Sequence, residues 1–366
     1  MRLAAALRAC QPAMELIARL EIAMKLLAQI LAGSVVMLAG AAQGQTAADI
    51  PRTPDGKPDF QGVWTNSSLT RLERVPEYSN LVLTEAEAKD WEADAASVAA
   101  ADGAPTDQSA GAPAKGEDPE GYNFFWIDPG TRVGKVGGQY RSSWLVDPPN
   151  GRVPYTPAGR AAMMKEVSTY NLFDNPEERI PIERCLIGFA STGGPPMLNA
   201  LYNNHHQIIQ TPDAIAINIE MVHDTRIIRM NGEHNPPAVR QYLGSTVGRW
   251  EGDTLVTETF GFKPKEAVRV DFGFFAYIAT EAKVTERFTL TSADEIHYEF
   301  TVSDSVAYTQ PWKGELTFRR SPDRIHEYAC HEGNYSVNNI LLGAREMERL
   351  GLKAAVTRPR ARIDRQ

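Results

Sequence analysis

The sequence predicts a mainly β protein: an antiparallel up-and-down, lipocalin-like barrel or a strongly curved sheet, with an N-terminal decorated region and few helices. Three observations predict it. From residue 204 onward, short apolar runs follow one another between turn signals. Within them apolar residues recur at every second position: Ile215, Ile217, Ile219 and Met221 share one face, and Ile296, Tyr298, Phe300 and Val302 another. The runs number about eight or nine, enough to close a sheet on itself and remove its exposed edges.

Residues 1–44 read as a presequence, with a signal-peptide core over 24–44. Met24-Lys25 precedes an apolar stretch from Leu26 to Gly40, short for a membrane span, and small residues follow at Ala41-Ala42-Gln43-Gly44. This predicts export to the periplasm, with no stable membrane insertion after cleavage. Translation from Met24 and an uncleaved anchor are the alternatives. Residues 45–120 read as an extended lead-in, a first strand beginning at Asp59-Phe60-Gln61-Gly62-Val63-Trp64, and a flexible loop over 93–120 that offers little to bury. Residues 121–203 carry decorating strands (Tyr122 to Ile127, Tyr140 to Val146) and a helix from Pro157 to Tyr170.

The barrel is expected over 204–340, in the runs His206 to Gln210, Ala214 to Met221, Thr225 to Met230, Val239 to Leu243, Gly248 to Trp250, Thr254 to Phe260, Lys283 to Leu290, Glu295 to Ser303 and Gly314 to Arg320. Asn231-Gly232 is a hairpin signal after the third run. Phe272 to Ile278 interrupts the series and reads as a lid or one more wall strand. Residues 341–366 form a C-terminal tail whose basic end, Arg358 to Arg365, reads as solvated.

The net charge of -8 argues against a nucleic-acid partner, which needs concentrated Lys and Arg. Of the 3 cysteines, Cys10 lies in the presequence, leaving Cys185 and Cys330. An isolated pair in an oxidising compartment is expected to bond. Two buried thiols or a Cys-His metal site are the alternatives, the latter without CxxC spacing.

Several blocks together resemble a large family of exported bacterial proteins abundant in soil and water. They are Pro58-Asp59-Phe60-Gln61-Gly62-Val63-Trp64, Glu183-Arg184-Cys185, Gln210-Thr211-Pro212, Gly248-Arg249-Trp250-Glu251-Gly252-Asp253-Thr254-Leu255-Val256, Thr285-Glu286-Arg287-Phe288 and Cys330-His331-Glu332-Gly333-Asn334-Tyr335. The resemblance spans about residues 50–345. It implies export and a shared architecture rather than a particular chemistry. Gly62-Val63-Trp64 also resembles the Gly-x-Trp that opens lipocalin barrels, with Arg319 or Arg320 as a late-strand partner for Trp64.

The run from His326 to Tyr335 concentrates two imidazoles, two carboxylates, a thiol and two phenols. A Cys185–Cys330 bond would join it to Glu183 and Arg184. The sequence therefore suggests one barrel mouth bearing catalytic His331, Glu332, His206, His223, Glu220 and Asp224. An imidazole oriented by a carboxylate exchanges protons near neutral pH. Arg184 and Arg226 would hold a carboxylate or enolate oxygen. Tyr298, Phe275, Glu258, Glu286, Asn334 and Tyr335 complete the expected substrate site. The alternation in two strands turns Glu258 and Glu286 inward if Val256, Phe260, Val284 and Phe288 face the core; a structural Arg–Glu286 pair, or outward-facing faces, is the competing expectation.

The function this predicts is cofactor-independent acid–base chemistry, as a lyase, hydratase or isomerase, on a small hydrophobic or aromatic compound. A non-catalytic lipocalin-like binding protein is one alternative. A metal-assisted hydrolase using His205, His206, Glu220 and His223 is another. Gly188 to Gly194 narrowly misses GxSxG and reads as a loop. No P-loop or Rossmann fingerprint appears, so no nucleotide cofactor is expected.

Overall fold

The computed structural model describes residues 50–103, 129–169, 173–188, 192–263, 268–271 and 274–352. The expected presequence, the Tyr122 to Ile127 run, the 104–120 part of the loop, Ser191, Phe272 and the basic end of the tail lie outside the described residues.

Nine strands close a barrel. In chain order they are β1 (Gly62–Thr65), β6 (His205–Gln210), β7 (Ala214–Ile219), β8 (Thr225–Met230), β9 (Ser245–Glu251), β10 (Thr254–Phe260), β13 (Lys283–Ser292), β14 (Glu295–Ser303) and β15 (Trp312–Arg320). Closure comes from β1, which pairs with both β6 and β15. Trp64 lies opposite Arg320, whose guanidinium covers the Trp64 ring at 4.3 Å. The short strand β5 (Leu145–Asp147) extends β15 at its other end.

All neighbours in the closed sheet are antiparallel except β8 and β9, which run parallel. The Asn231-Gly232 signal does not make a hairpin. Asn231 takes a left-handed φ of 52° and donates its N–H to Gly248 O, and the chain then crosses over before β9. Val239 to Leu243 lies in that crossover and forms no strand. The run around Phe272 to Ile278 is not a strand of the barrel wall. Its described part pairs β12 (Phe274–Tyr277) with β11 (Val268–Asp271) as a separate two-stranded sheet. A third small sheet joins β2 (Val82–Leu83), β3 (Lys135–Val136) and β4 (Gln139–Arg141).

Three helices occur among the described residues. The first, α1 (Glu85–Asp102), replaces the early part of the expected loop. Its start is set by a capping box: Thr84 Oγ1 accepts from Glu87 N–H, and Glu87 returns a carboxylate to Thr84 N–H. The Ala-rich sequence then sustains it. Helix α2 (Pro157–Thr169) agrees with the expected one, and α3 (Ser336–Arg349) opens the region expected as tail.

The barrel interior is filled by side chains. Trp64, Ile217, Ile228, Val284, Phe288, Ile296, Tyr298, Phe300, Leu316 and Phe318 are all buried in one cluster. Gly314 faces inward because a Cβ there would run into the Phe300 ring. Burying a large apolar side chain contributes roughly 1.5–3 kcal/mol, so this interior is a core. These side chains occupy the space in which a lipocalin-like binding protein would hold its ligand.

Candidate functional site

Inside that core lies a polar cluster built from five strands. Arg226 on β8 donates from Nη1 to Glu286 Oε1 at 2.9 Å and from Nη2 to Glu286 Oε2, on β13. Its Nη2 also reaches Thr259 Oγ1 (3.2 Å) and its Nε reaches Thr246 Oγ1 (3.3 Å). Thr257 and Tyr298 donate to the Glu286 oxygens at 2.9 and 2.8 Å. The Tyr298 hydroxyl accepts from Met197 N–H at 2.9 Å. Burial pushes the Tyr298 phenol well up, and the Glu286 charge adds to this. Each charged group is matched within the cluster, as buried charges require. Arg226, Glu286 and Tyr298 thus come together, but on one another.

Glu258 does not join them. Cross-strand pairing sets Thr257 opposite Glu286 and Glu258 opposite Thr285, so Glu258 lies on the outer face. There it pairs with Lys283 and approaches His234 at 4.0 Å. The inward face of β10 is Leu255, Thr257 and Thr259.

His206 also faces inward. It lies opposite Trp64 and Ile219, edge-on to the Phe318 ring. Its Nε2–H donates to Thr192 O at 2.8 Å, while Nδ1 has no partner. Burial lowers its pKa to about 4, so the ring is neutral at pH 7. It does not reach a barrel mouth.

Its neighbour His205 points the other way, because successive strand residues alternate faces. His205 Nδ1 meets Glu220 Oε2 at 3.2 Å, and Nε2 faces Asp323 at 3.7 Å. Glu220 is buried at 4 % exposure, and its Oε1 accepts from His326 N–H at 3.2 Å. Burial alone would raise the Glu220 carboxyl. Hydrogen bonds from His205, His326 and Asn203 outweigh it and hold the group below the ordinary value. Glu220 is therefore a carboxylate that fixes the His205 tautomer with a proton on Nδ1. Opposite strand faces prevent His205 and His206 from sharing one ion. No group of three His, Cys, Asp or Glu placed to hold a metal occurs among the described residues.

The Cys185–Cys330 disulfide, with Cα atoms 5.7 Å apart, joins positions separated by 145 in the sequence. It staples the 181–185 turn to the 326–335 segment. Asn334 Nδ2 strengthens the join by donating to Glu183 O (2.9 Å) and to Cys185 Sγ (3.3 Å). Between the two segments opens a cleft of about 810 Å³. Its walls include Glu183, Tyr202, Asn203, Tyr328, Glu332 and Asn334. Arg179 neutralises Glu183 through two hydrogen bonds of 2.8 and 3.0 Å. Burial and then the adjoining Tyr328 push Tyr202 up to about 12, so its hydroxyl stays protonated. Burial raises Tyr328 as well.

The remaining expected residues scatter around this cleft. His331 is exposed and does not line it, whereas its neighbour Glu332 does. Tyr335 is 70 % exposed at the start of α3. Arg184 is partly buried in the 181–185 turn, and Asp224 caps Thr225 N–H at 3.1 Å. His223 ends a short 3-10 turn and Phe275 lies in β12; their side chains are outside the described residues. Tyr202 and Tyr328 were not among the expected site residues, and His205 was expected only as a metal ligand in the hydrolase alternative. Strand alternation was the available signal for His205: with Ile208 and His206 inward, it must face out. No protein-family model, curated protein or solved structure gives a significant match to this chain.

Proposed function

We propose that the protein is an exported enzyme performing cofactor-independent proton transfer, of the lyase, hydratase or isomerase kind, on a small organic compound in the disulfide-stapled cleft. The observation that carries this reading is the His205–Glu220 pair, a polarised imidazole that adjoins the cleft through Asn203 and the 326–335 segment but is not itself one of its lining residues. Asn203 and Glu327-Tyr328 lie in those walls, while Asn203 and His326 N–H also bind Glu220.

In this mechanism Glu220 holds the His205 Nδ1 proton, leaving the Nε2 lone pair as the base. Asp323, at 3.7 Å and largely exposed, stabilises the imidazolium once it forms. The Tyr202 and Tyr328 hydroxyls are hydrogen-bonded to each other, which leaves one O–H of the pair to donate to the oxygen on which negative charge develops. Export is supported by the signal-peptide pattern of residues 24–44, by the family resemblance and by the disulfide, a bond of oxidising compartments.

The test begins with native mass spectrometry of the mature protein, to identify a retained compound. That compound, or failing one a panel of small carbonyl and aromatic acids, is incubated with the protein in D2O and followed by NMR. The expected result is deuterium incorporation or elimination that His205→Asn reduces by about 10²–10⁴-fold while affinity is preserved. Equal turnover by His205→Asn would remove the dyad from the mechanism. Affinity without turnover in the wild type would make the protein a binding protein instead.

A further inference from the structure

A second polar site lies on the outer surface of the barrel, in a different part of the sheet. Arg319 sits on β15 with its side chain outward, between the inward residues Phe318 and Trp64 of the paired strands. The loop after residue 129 folds against it. Gly130 makes this approach possible: its φ is +96°, and a Cβ there would meet Ser68 N at 2.8 Å and Ser67 C at 2.9 Å. The loop is then pinned, with Arg132 O accepting from Leu69 N–H (2.9 Å) and Ser68 Oγ (3.2 Å). This fixes the backbone from which the Arg132 side chain extends.

The result is a pocket of about 240 Å³ lined by Ser67, Gly130, Thr131, Arg132 and Arg319. At ~30 Å³ per water it has room for about eight waters, enough for an oxyanion and its immediate carrier. Two guanidinium groups line it, and among the described residues no carboxylate does. Arg319 uses Nη2 to donate to Ser67 O at 3.0 Å, and neither arginine forms an ion pair among the described residues. Glu295, opposite Arg319 on β14, accepts from Thr291 Oγ1 at 2.9 Å and makes no ion pair with it. Burial, and then the nearby Arg132 charge, hold Arg319 below its ordinary pKa, with Glu295 opposing. Two cations sharing one small pocket repel, Glu295 offsets this only in part, and an anion between them would relieve the repulsion.

We propose that Arg132 and Arg319 form a binding site for a small oxyanion group: phosphate, sulfate or carboxylate. Planar guanidinium forks match the paired oxygens of such groups, and the Ser67 and Thr131 hydroxyls supply further donors in the same wall.

The oxidised protein is titrated at low salt with inorganic phosphate, sulfate and acetate in parallel, by calorimetry and by NMR. At least one anion should bind saturably, and Arg132→Gln should weaken that binding at least tenfold. Arg132 is exposed on the pinned loop, so this variant should keep the wild-type melting temperature. Arg319→Gln should show the same loss, and Arg132→Glu carries the test if that variant fails to fold. Phosphate and sulfate binding without acetate identifies a tetrahedral oxyanion, and acetate binding alone identifies a carboxylate; both support the site. Linear, non-saturating titrations with all three, or affinity unchanged in Arg132→Gln, would overturn it.

Discussion

Replacing Glu286 with Gln tests whether the barrel interior is core or site. The change keeps the side chain's shape and one acceptor for the Tyr298 and Thr257 hydroxyls, which both donate to Glu286. It removes the only carboxylate bound to Arg226, a residue 3 % exposed. A buried cation left without its partner costs about 3–5 kcal/mol, which should lower the melting temperature by roughly 6–20 °C. The measurement is equilibrium urea unfolding of the oxidised protein, with Arg226→Met/Glu286→Gln as the companion variant. Removing the orphaned cation should recover most of the loss, since Met fills similar space without charge. A loss below about 1 kcal/mol in the single variant would mean that Arg226 is solvated. The interior would then be open to a ligand, and the reading of it as packed core would fail.

The other predictions concern a buried base, the staple and the interior packing. His206 titrates near 4 in the fold and near its ordinary 6.5 unfolded, so between those values the unfolded chain holds more protons. Stability should therefore be full above about pH 6.5 and fall by about 3 kcal/mol as pH drops to about 4; His206→Phe should flatten that part of the pH profile, and an unchanged profile would refute it. Cys185→Ser with Cys330→Ser opens a long loop and should cost about 2–5 kcal/mol, with new proteolytic cleavage between Pro322 and Tyr335; a protease-resistant variant would show that Asn334 and α3 hold the segment unaided. Gly314→Ala forces a methyl against the Phe300 ring and should destabilise by about 1–3 kcal/mol, read as a shift in the urea midpoint at constant slope.

Much of the barrel is written in period-two patterns. The strands β6 to β8, β10, β13, β14 and β15 begin and end within a few residues of the apolar runs, since each run must bury one face. On β10 the competing expectation holds, with Glu286 paired to an arginine and Glu258 outside. Val256 and Phe260 are the more apolar alternation, but the inward set is Leu255, Thr257 and Thr259. Two hydroxyls face inward there because the Arg226–Glu286 pair needs partners, and Val256 is buried from outside instead. Pairing across strands decides this, and it is non-local. The parallel β8–β9 contact was hidden similarly, because the local Asn231-Gly232 signal describes a turn but not which strand follows it in the sheet. Helix α1 was hidden by composition: its residues bury almost nothing, and the capping box at Thr84 and Glu87 was the one local sign.

Of the expected site, the disulfide and the segments it joins were legible, and the roles within them were not. The two adjacent imidazoles make the point. His205 and His206 are chemically identical, yet one is a neutral core residue and the other a polarised surface base. The interior side chains described are buried against one another, and the charges of Arg226 and Glu286 are spent on each other. Chemistry must then use groups at the ends and outer faces, where loops approach the wall and leave clefts. The staple borders one such cleft, because it ties the C-terminal segment to the 181–185 turn, and both segments line it. A reactive imidazole there needs an anchored carboxylate, and Glu220 is anchored from both sides, by the strand that carries His205 and by the segment that carries His326. Cutting the disulfide should therefore disturb the dyad as well as the cleft. Reduction of the wild-type protein should lower turnover more than it lowers the population of folded barrel, and a strictly parallel loss of the two would separate the staple from the site.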